Sequence, residues 1–297
     1  MPLEFRWPSG LPPALAAALA ELAPTWSALH LPPGTLGVIL GSGLGPAAEG
    51  FPLRWRRDFA ALGLPSASVA GHAGELRLAE GPGAPLLFLS GRLHRYEGLG
   101  DSRVLLPAAA MAACGLRGLL ITNAAGGLDP AFAPGDFMLI EDILSLQFDD
   151  PLRGQSLAGA PRRPPRRPLF DAALAETLAA CADGAGLRLH RGVLNCAPGP
   201  AYETRAELRL ARLLGAQAAS MSTFPEAMLL ADWGLPAVAL SCITNAIPPE
   251  GAEAPPLSHE EVVAVGRAAA AGFGRLLAAL SAALPPPGAG RGGRGSC

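Results

Sequence analysis

Between Gly91 and Gly98 the chain reads Gly-Arg-Leu-His-Arg-Tyr-Glu-Gly, which sets five polar or ionisable side chains in one short run directly after the apolar stretch Leu86–Leu89. Arg92 offers a planar fork of donors suited to phosphate, and His94 an imidazole. Tyr96 adds an amphipathic ring and Glu97 a carboxylate. A charged surface turn accounts for this run alone equally well. Glycine-rich or hydroxyl-bearing junctions recur elsewhere. Gly41-Ser42-Gly43-Leu44-Gly45 lacks both the Walker lysine and GxGxxG spacing, yet its amides and the Ser42 hydroxyl suit an anion. Asn123-Ala124-Ala125-Gly126-Gly127 reads as a tight turn or as a bare surface for a flat ligand. Met221-Ser222-Thr223-Phe224-Pro225-Glu226 supplies another hydroxyl. Gly199-Pro200-Ala201-Tyr202-Glu203-Thr204 places an aromatic and a carboxylate before a helix, where Glu203 could also serve as a capping charge. Ser241-Cys242-Ile243-Thr244-Asn245 ends a strand on an amide that both donates and accepts.

Apolar runs that enter these junctions predict buried strands at Leu36–Leu40, Leu116–Thr122, Phe137–Ile140, Arg191–Cys196, Ala218–Met221 and Ala237–Ile243. Helical spacing covers Arg205–Leu214 and Phe224–Trp233, stopped by Gly215 and Gly234. Ser258-His259-Glu260-Glu261 resembles a capped start for an Ala-rich helix running to about Leu284. Strands alternating with helices predict an α/β fold, and ligands in such folds sit beyond the carboxyl ends of the strands. No linker divides the middle, so residues 1–284 read as one domain with a helical segment in 1–30. Residues 285–297 form a Pro/Gly-rich tail expected to be disordered, and Pro161–Pro168 an exposed Arg/Pro loop.

Composition excludes several chemistries. All 23 basic residues of this 297-residue chain are arginine. That removes the P-loop lysine, the pyridoxal Schiff base and lysine general bases together. A formal net charge of -2 without a basic stripe speaks against nucleic acid. Five scattered cysteines show neither CxxC nor metal-ligand spacing. Cys114, Cys181, Cys196 and Cys242 read as small buried hydrophobes and Cys297 as a tail thiol. No unbroken apolar run reaches about 18 residues. A soluble, cytoplasmic protein without membrane partners is expected.

In order along residues 30–285, GSGLG, GHAG, the GRLHRYEG run, TNAAGGL, GPAYET, MSTFPE, ITN and SHEE together resemble the trimeric purine nucleoside phosphorylase family. The resemblance implies a single domain with a central mixed, partly barrel-like β-sheet surrounded by helices, assembled as a homotrimer. It implies phosphorolysis of 6-oxopurine nucleosides such as inosine and guanosine, in purine salvage, with inorganic phosphate as co-substrate and no metal or organic cofactor. Carried over, Ser42, Arg92, His94, Ser222 and the backbone at Ala124 would hold phosphate, with Glu97 in the surrounding network. Tyr96 and Met221 would meet ribose, and His259 its 5′-hydroxyl. Tyr202, Glu203, Thr244 and Asn245 would face the purine, and His72 would belong to a loop at the phosphate entrance. Asn245 and His259 argue against the methylthioadenosine or 6-aminopurine sibling. Two segments depart from the family: the region 155–168, where a Phe would reach a neighbour's ribose site, and Glu141–Leu146. The first leaves a catalytically weak nucleoside-binding paralogue as a further alternative.

Overall fold

The structure, a computed structural model, describes residues 5–66, 73–153, 168–248 and 258–284. His72, residues 155–167 of the segment that departs from the family (with the Arg/Pro loop up to Arg167), the tail and Cys297 lie outside the described residues. Among the described residues, six helices, α1 (Pro13–Ser27), α2 (Asp101–Ala113), α3 (Ala172–Ala185), α4 (Arg205–Leu213), α5 (Phe224–Trp233) and α6 (His259–Ala283), surround one mixed sheet. Its strands are β1 (Leu36–Leu40), β2 (Leu53–Asp58), β3 (Glu75–Ala79), β4 (Leu86–Ser90), β5 (Gly118–Gly127), β6 (Phe137–Ser145), β7 (Leu189–Cys196), β8 (Ala216–Ser220) and β9 (Ala237–Ala246). The order is β2-β3-β4-β1-β5-β8-β7-β6-β9, and β9 returns to pair with β5. Five strands therefore close on themselves as a partial barrel, while β1 to β4 form an open wing.

β1 is buried on both faces. Leu36, Val38 and Leu40 join one apolar cluster with Phe273, Leu276, Leu277 and Leu280 of α6. Ile39 points into the other cluster, with Leu105, Ala109 and Met111 of α2. This is the period-two alternation of a strand covered on two sides. α6 is long and apolar enough, by length and composition, to cross a membrane. Its apolar stripe instead lies on the sheet, where burial of each of those four side chains contributes roughly 1.5–3 kcal/mol.

β5 changes partners along its length. Gly118–Ile121 pair in parallel with β1, whereas Gly126 and Gly127 pair with β8 running the other way. The Asn123-Ala124-Ala125-Gly126-Gly127 segment is thus strand, not the tight turn its glycines suggested, because β9 pairs beside it as far as Gly127. β1 and β8 diverge across this stretch, which creates a switch point of the kind where α/β sheets bind ligands. The glycine turn after β1 leads into a short 3-10 helix, Gly45–Gly50. Cys181 on α3 is only half-buried, unlike Cys114, Cys196 and Cys242.

Candidate active site

Carboxyl ends of five strands converge at the switch point and line an open cleft. β1 delivers Ser42, β4 delivers Arg92, His94 and Tyr96, and β8 delivers Met221 and Ser222. β9 delivers Thr244 and Asn245, and the loop after β7 delivers Tyr202 and Glu203. Ala124 comes from the half-buried part of β5 and His259 from the first turn of α6. Ser42 and Val262, 220 positions apart in sequence, thus share one cavity. Glu97 stands behind His94 instead of lining the cleft. His72 lies outside the described residues.

Arg92 is almost fully buried, 4 % exposed. Its Nε donates to Glu226 Oε1 at 2.7 Å, and its Nη1 donates to the Thr122 carbonyl at 2.9 Å and the Ser222 hydroxyl at 3.3 Å. Nη2 is buried with no hydrogen-bond partner. Buried donors are nearly always satisfied, so an orphan guanidinium nitrogen in a cleft marks where an anion belongs. Glu226, also 4 % exposed, was not singled out as functional from the sequence; a carboxylate in a first helical turn reads as an ordinary complement to the helix dipole.

The Arg95–Glu97 turn divides its charges between cleft and scaffold. Glu97 Oε1 accepts from the His94 backbone N–H at 2.6 Å and lies 3.3 Å from His94 Nδ1. This places the proton on Nδ1 and turns Nε2 to other duties. Burial, followed by the Arg92 charge, lowers the His94 pKa, with Glu226 and Glu97 opposing. The His94 and Tyr96 rings stack at 4.7 Å. Arg95 faces the other way: it donates to both carboxylate oxygens of Asp101, to Gln147 and to Asp149. It ties the turn to α2 and to the loop after β6, and it takes no part in lining the cleft.

Close approach explains two glycines. Gly43, at φ +81, sits where a Cβ would meet the Val263 carbonyl at 2.6 Å, so the turn carrying Ser42 presses on α6. The steric reading of that turn holds, and Ser42 still reaches the cleft. Gly199, at φ +67, lies where a Cβ would be 2.6 Å from Tyr96 and 2.7 Å from Met221 Sδ.

At the other end, the capping ambiguity of Glu203 resolves. Thr204 is the N-cap of α4 and forms a reciprocal capping box with Glu207, which leaves Glu203 to the cleft. Burial, then the Glu207 charge, raises the Glu203 pKa, with a backbone hydrogen bond opposing. The Thr244 hydroxyl lies 3.3 Å from the Ala125 carbonyl and 3.2 Å from Asn245 Oδ1; donation to Oδ1 leaves the Asn245 amino group for a ligand. Tyr202 is 54 % exposed. Among the described residues, no group of three or more His, Cys, Asp or Glu side chains gathers as a metal site.

Residues 35–282 match the phosphorylase superfamily. Purine nucleoside phosphorylase 1 of Bacillus subtilis (strain 168) is 37% identical over 251 residues, covering 83% of this chain and 91% of the relative. The chain belongs to the purine nucleoside phosphorylases. Two solved structures of the family, both from Schistosoma mansoni and both 28% identical, superpose on it. One, in complex with adenosine, has a TM-score of 0.76 and covers 89% of this chain and 96% of that one. The other, isoform 2 in complex with cytosine and ribose-1-phosphate, has a TM-score of 0.77 and covers 94% and 99%. The chain is accordingly an enzyme, a pentosyltransferase by family, built on the family's mixed sheet with its partial barrel.

Proposed function

We propose that the chain catalyses reversible phosphorolysis of 6-oxopurine ribonucleosides and deoxyribonucleosides, inosine and guanosine among them, to free base and ribose (or deoxyribose) 1-phosphate, in purine salvage and catabolism. The observation that carries this reading is the unpartnered Arg92 Nη2, buried in the same cleft as Glu203 and Asn245. Ser42, Arg92, His94, Ala124 and Ser222 hold the phosphate beneath the sugar, where it is both nucleophile and counter-charge. Tyr96, Met221 and His259 hold the ribose. As the glycosidic bond breaks, positive charge builds on the sugar and negative charge on the base, and both must be met by fixed partners. Asn245 donates to N7 or O6, supported by Thr244, while ionised Glu203 accepts from N1–H and Tyr202 covers the ring. Adenine presents a bare N1 to that carboxylate, and a buried polar mismatch of this kind discriminates by orders of magnitude. The proposal includes inorganic phosphate as co-substrate with no further cofactor, a cytoplasmic location and, on the resemblance, a homotrimer.

Purified protein incubated with inosine, guanosine, adenosine or methylthioadenosine, with and without phosphate, tests it by chromatography of the released base. Phosphate-dependent release of hypoxanthine and guanine is expected, and its absence overturns the reading. One observation favours a second activity: the raised pKa of Glu203 enlarges its protonated fraction, and a neutral carboxyl can donate to adenine N1. The adenosine arm of the same assay measures it.

A further inference from the structure

Resting on the reading of the cleft as a phosphate site, we propose that Asn123 is a positioning residue for that site: it keeps Thr223 from capping its own helix, and so leaves Ser222 and Glu226 to Arg92. Three of the described helices start with a hydroxyl residue three positions before a glutamate, the pattern of a reciprocal capping box. Two of them form it, Thr204 with Glu207 on α4 and Ser258 with Glu261 on α6. The third, Thr223 with Glu226 on α5, does not. Thr223 stands at the N-cap, yet its side chain makes no capping bond, and its backbone lies at φ 84 and ψ -41 instead of the extended region that the other two caps adopt. Both side chains are engaged elsewhere. The Thr223 hydroxyl accepts from Asn123 Nδ2 at 2.8 Å, and Glu226 Oε1 accepts from Arg92 Nε at 2.7 Å. Arg92 Nη1 in turn donates to the hydroxyl of Ser222, the residue before the cap.

Local preference alone would reverse this arrangement. A β-branched residue at positive φ is strained, and a threonine cap with glutamate at the third helical position has an unstrained alternative at hand: rotation to an extended φ, with the box closed. That alternative takes Glu226 away from Arg92 and turns the peptide that carries Ser222. Asn123 opposes it. By strand alternation Asn123 shares the face of Ile121 and Ala125, both in the apolar core, and it pairs in register with Ser241 of β9. Its own Oδ1 is buried with no hydrogen-bond partner among the described residues. An amide left half-satisfied in an apolar core adds little to stability, so the effect of Asn123 falls on the junction that its Nδ2 holds.

Asn123→Ala removes the hold. By calorimetric titration, affinity for sodium phosphate should fall about tenfold or more, while affinity for free hypoxanthine stays within about threefold, because the groups facing the base come from other elements. Coupling gives the second measure. Thr223→Gly adopts φ 84 without strain and has no hydroxyl with which to cap, so Asn123 has no task in that background. Adding Asn123→Ala to Thr223→Gly should change phosphate affinity by less than about twofold relative to Thr223→Gly alone. An equal loss in both backgrounds overturns the proposal, since a role in packing alone would act in both, and so does wild-type phosphate affinity in Asn123→Ala. Should Asn123→Ala fail to fold, Thr223→Val and Thr223→Ser decide. Valine keeps the shape without the hydroxyl and should lose about tenfold in phosphate affinity, whereas serine keeps the hydroxyl and should stay within about threefold; equal affinities in the two overturn the proposal. Base release from inosine separates this role from the reading beneath it. Phosphate binding that is lost in Asn123→Ala, without base release by the wild type, overturns the phosphorolysis and supports the role of Asn123, whereas a wild type that binds no phosphate overturns both.

Discussion

At the Arg92 end of the cleft, Arg92, Thr122, Ser222 and Glu226 are buried and bonded across β5, α5 and the loop after β4, whereas at the Asn245 end Tyr202 is half-exposed and Glu203 sits on an irregular loop. Thr223, in the junction that presents Ser222, is fully buried at φ 84, and Asn123 Nδ2 donates to its hydroxyl at 2.8 Å. A non-glycine residue at such a φ persists only where its surroundings over-determine it. The deep end is therefore fixed by the same contacts that hold the strands together. The shallow end is fixed by one amide, one carboxylate and a capped helix. Chemistry common to all substrates falls to the rigid end, and choice among substrates to the end that can change without cost to the fold.

Arg92→Ala probes this contrast most severely. It removes the proposed phosphate ligand and leaves the Glu226 carboxylate buried without its partner. Base release should fall by about 10³-fold or more, and unfolding free energy by about 3–5 kcal/mol. Urea denaturation followed by circular dichroism measures the second effect; unchanged stability would break the comparison at its deep end. Asn245→Asp probes the other end. Inosine kcat/KM should drop by about 10²–10³-fold, because a carboxylate repels charge developing on the base, while Tm stays within about 2 °C. Equal turnover in the two proteins would refute the role given to Asn245.

The same contrast governs what could be read from the chain. Residues delivered straight off strand ends were legible, because the apolar run, the glycine and the polar residue lie together: Ser42, Arg92, Ser222 and Asn245 all line the cleft. The acidic partner of Arg92 was not, since Glu226 lies 134 residues away and only the closed sheet brings it near. Arg95 stands in the same charged run as Arg92, and only the structure reveals that it clamps the scaffold through Asp101 and Asp149. β2, Leu-Arg-Trp-Arg-Arg-Asp, left no apolar pattern because it is an edge strand exposed along nearly its whole length. β3, α2 and α3 were likewise not anticipated, although α2 is so thoroughly buried that its apolar residues run almost without interruption and carry little helical periodicity.

A pH profile sharpens the contrast within the shallow end. Glu203 has a raised pKa, so it is ionised above that value and protonated below it. The ionised form accepts from inosine N1–H, and the protonated form donates to adenosine N1. Hence the ratio of inosine to adenosine kcat/KM should rise about tenfold per pH unit, because each substrate uses the opposite state of one group. Phosphate and His94 titrate in both reactions and cancel in the ratio. A flat ratio would remove Glu203 from base recognition.

Tyr202 gives the smallest expected effect and tests how far adaptability extends. Tyr202 is 54 % exposed, so loss of its hydroxyl should cost little. Tyr202→Phe should leave inosine kcat/KM within about threefold of the wild type. Tyr202→Ala removes the apolar face as well, and should raise KM by about tenfold with Tm unchanged, since no buried neighbour loses its packing. These two variants separate the roles of ring and hydroxyl. If Tyr202→Phe alone lowered kcat/KM by more than tenfold, the hydroxyl would be a fixed polar contact to substrate, and the shallow end would be as preorganised as the Arg92 end.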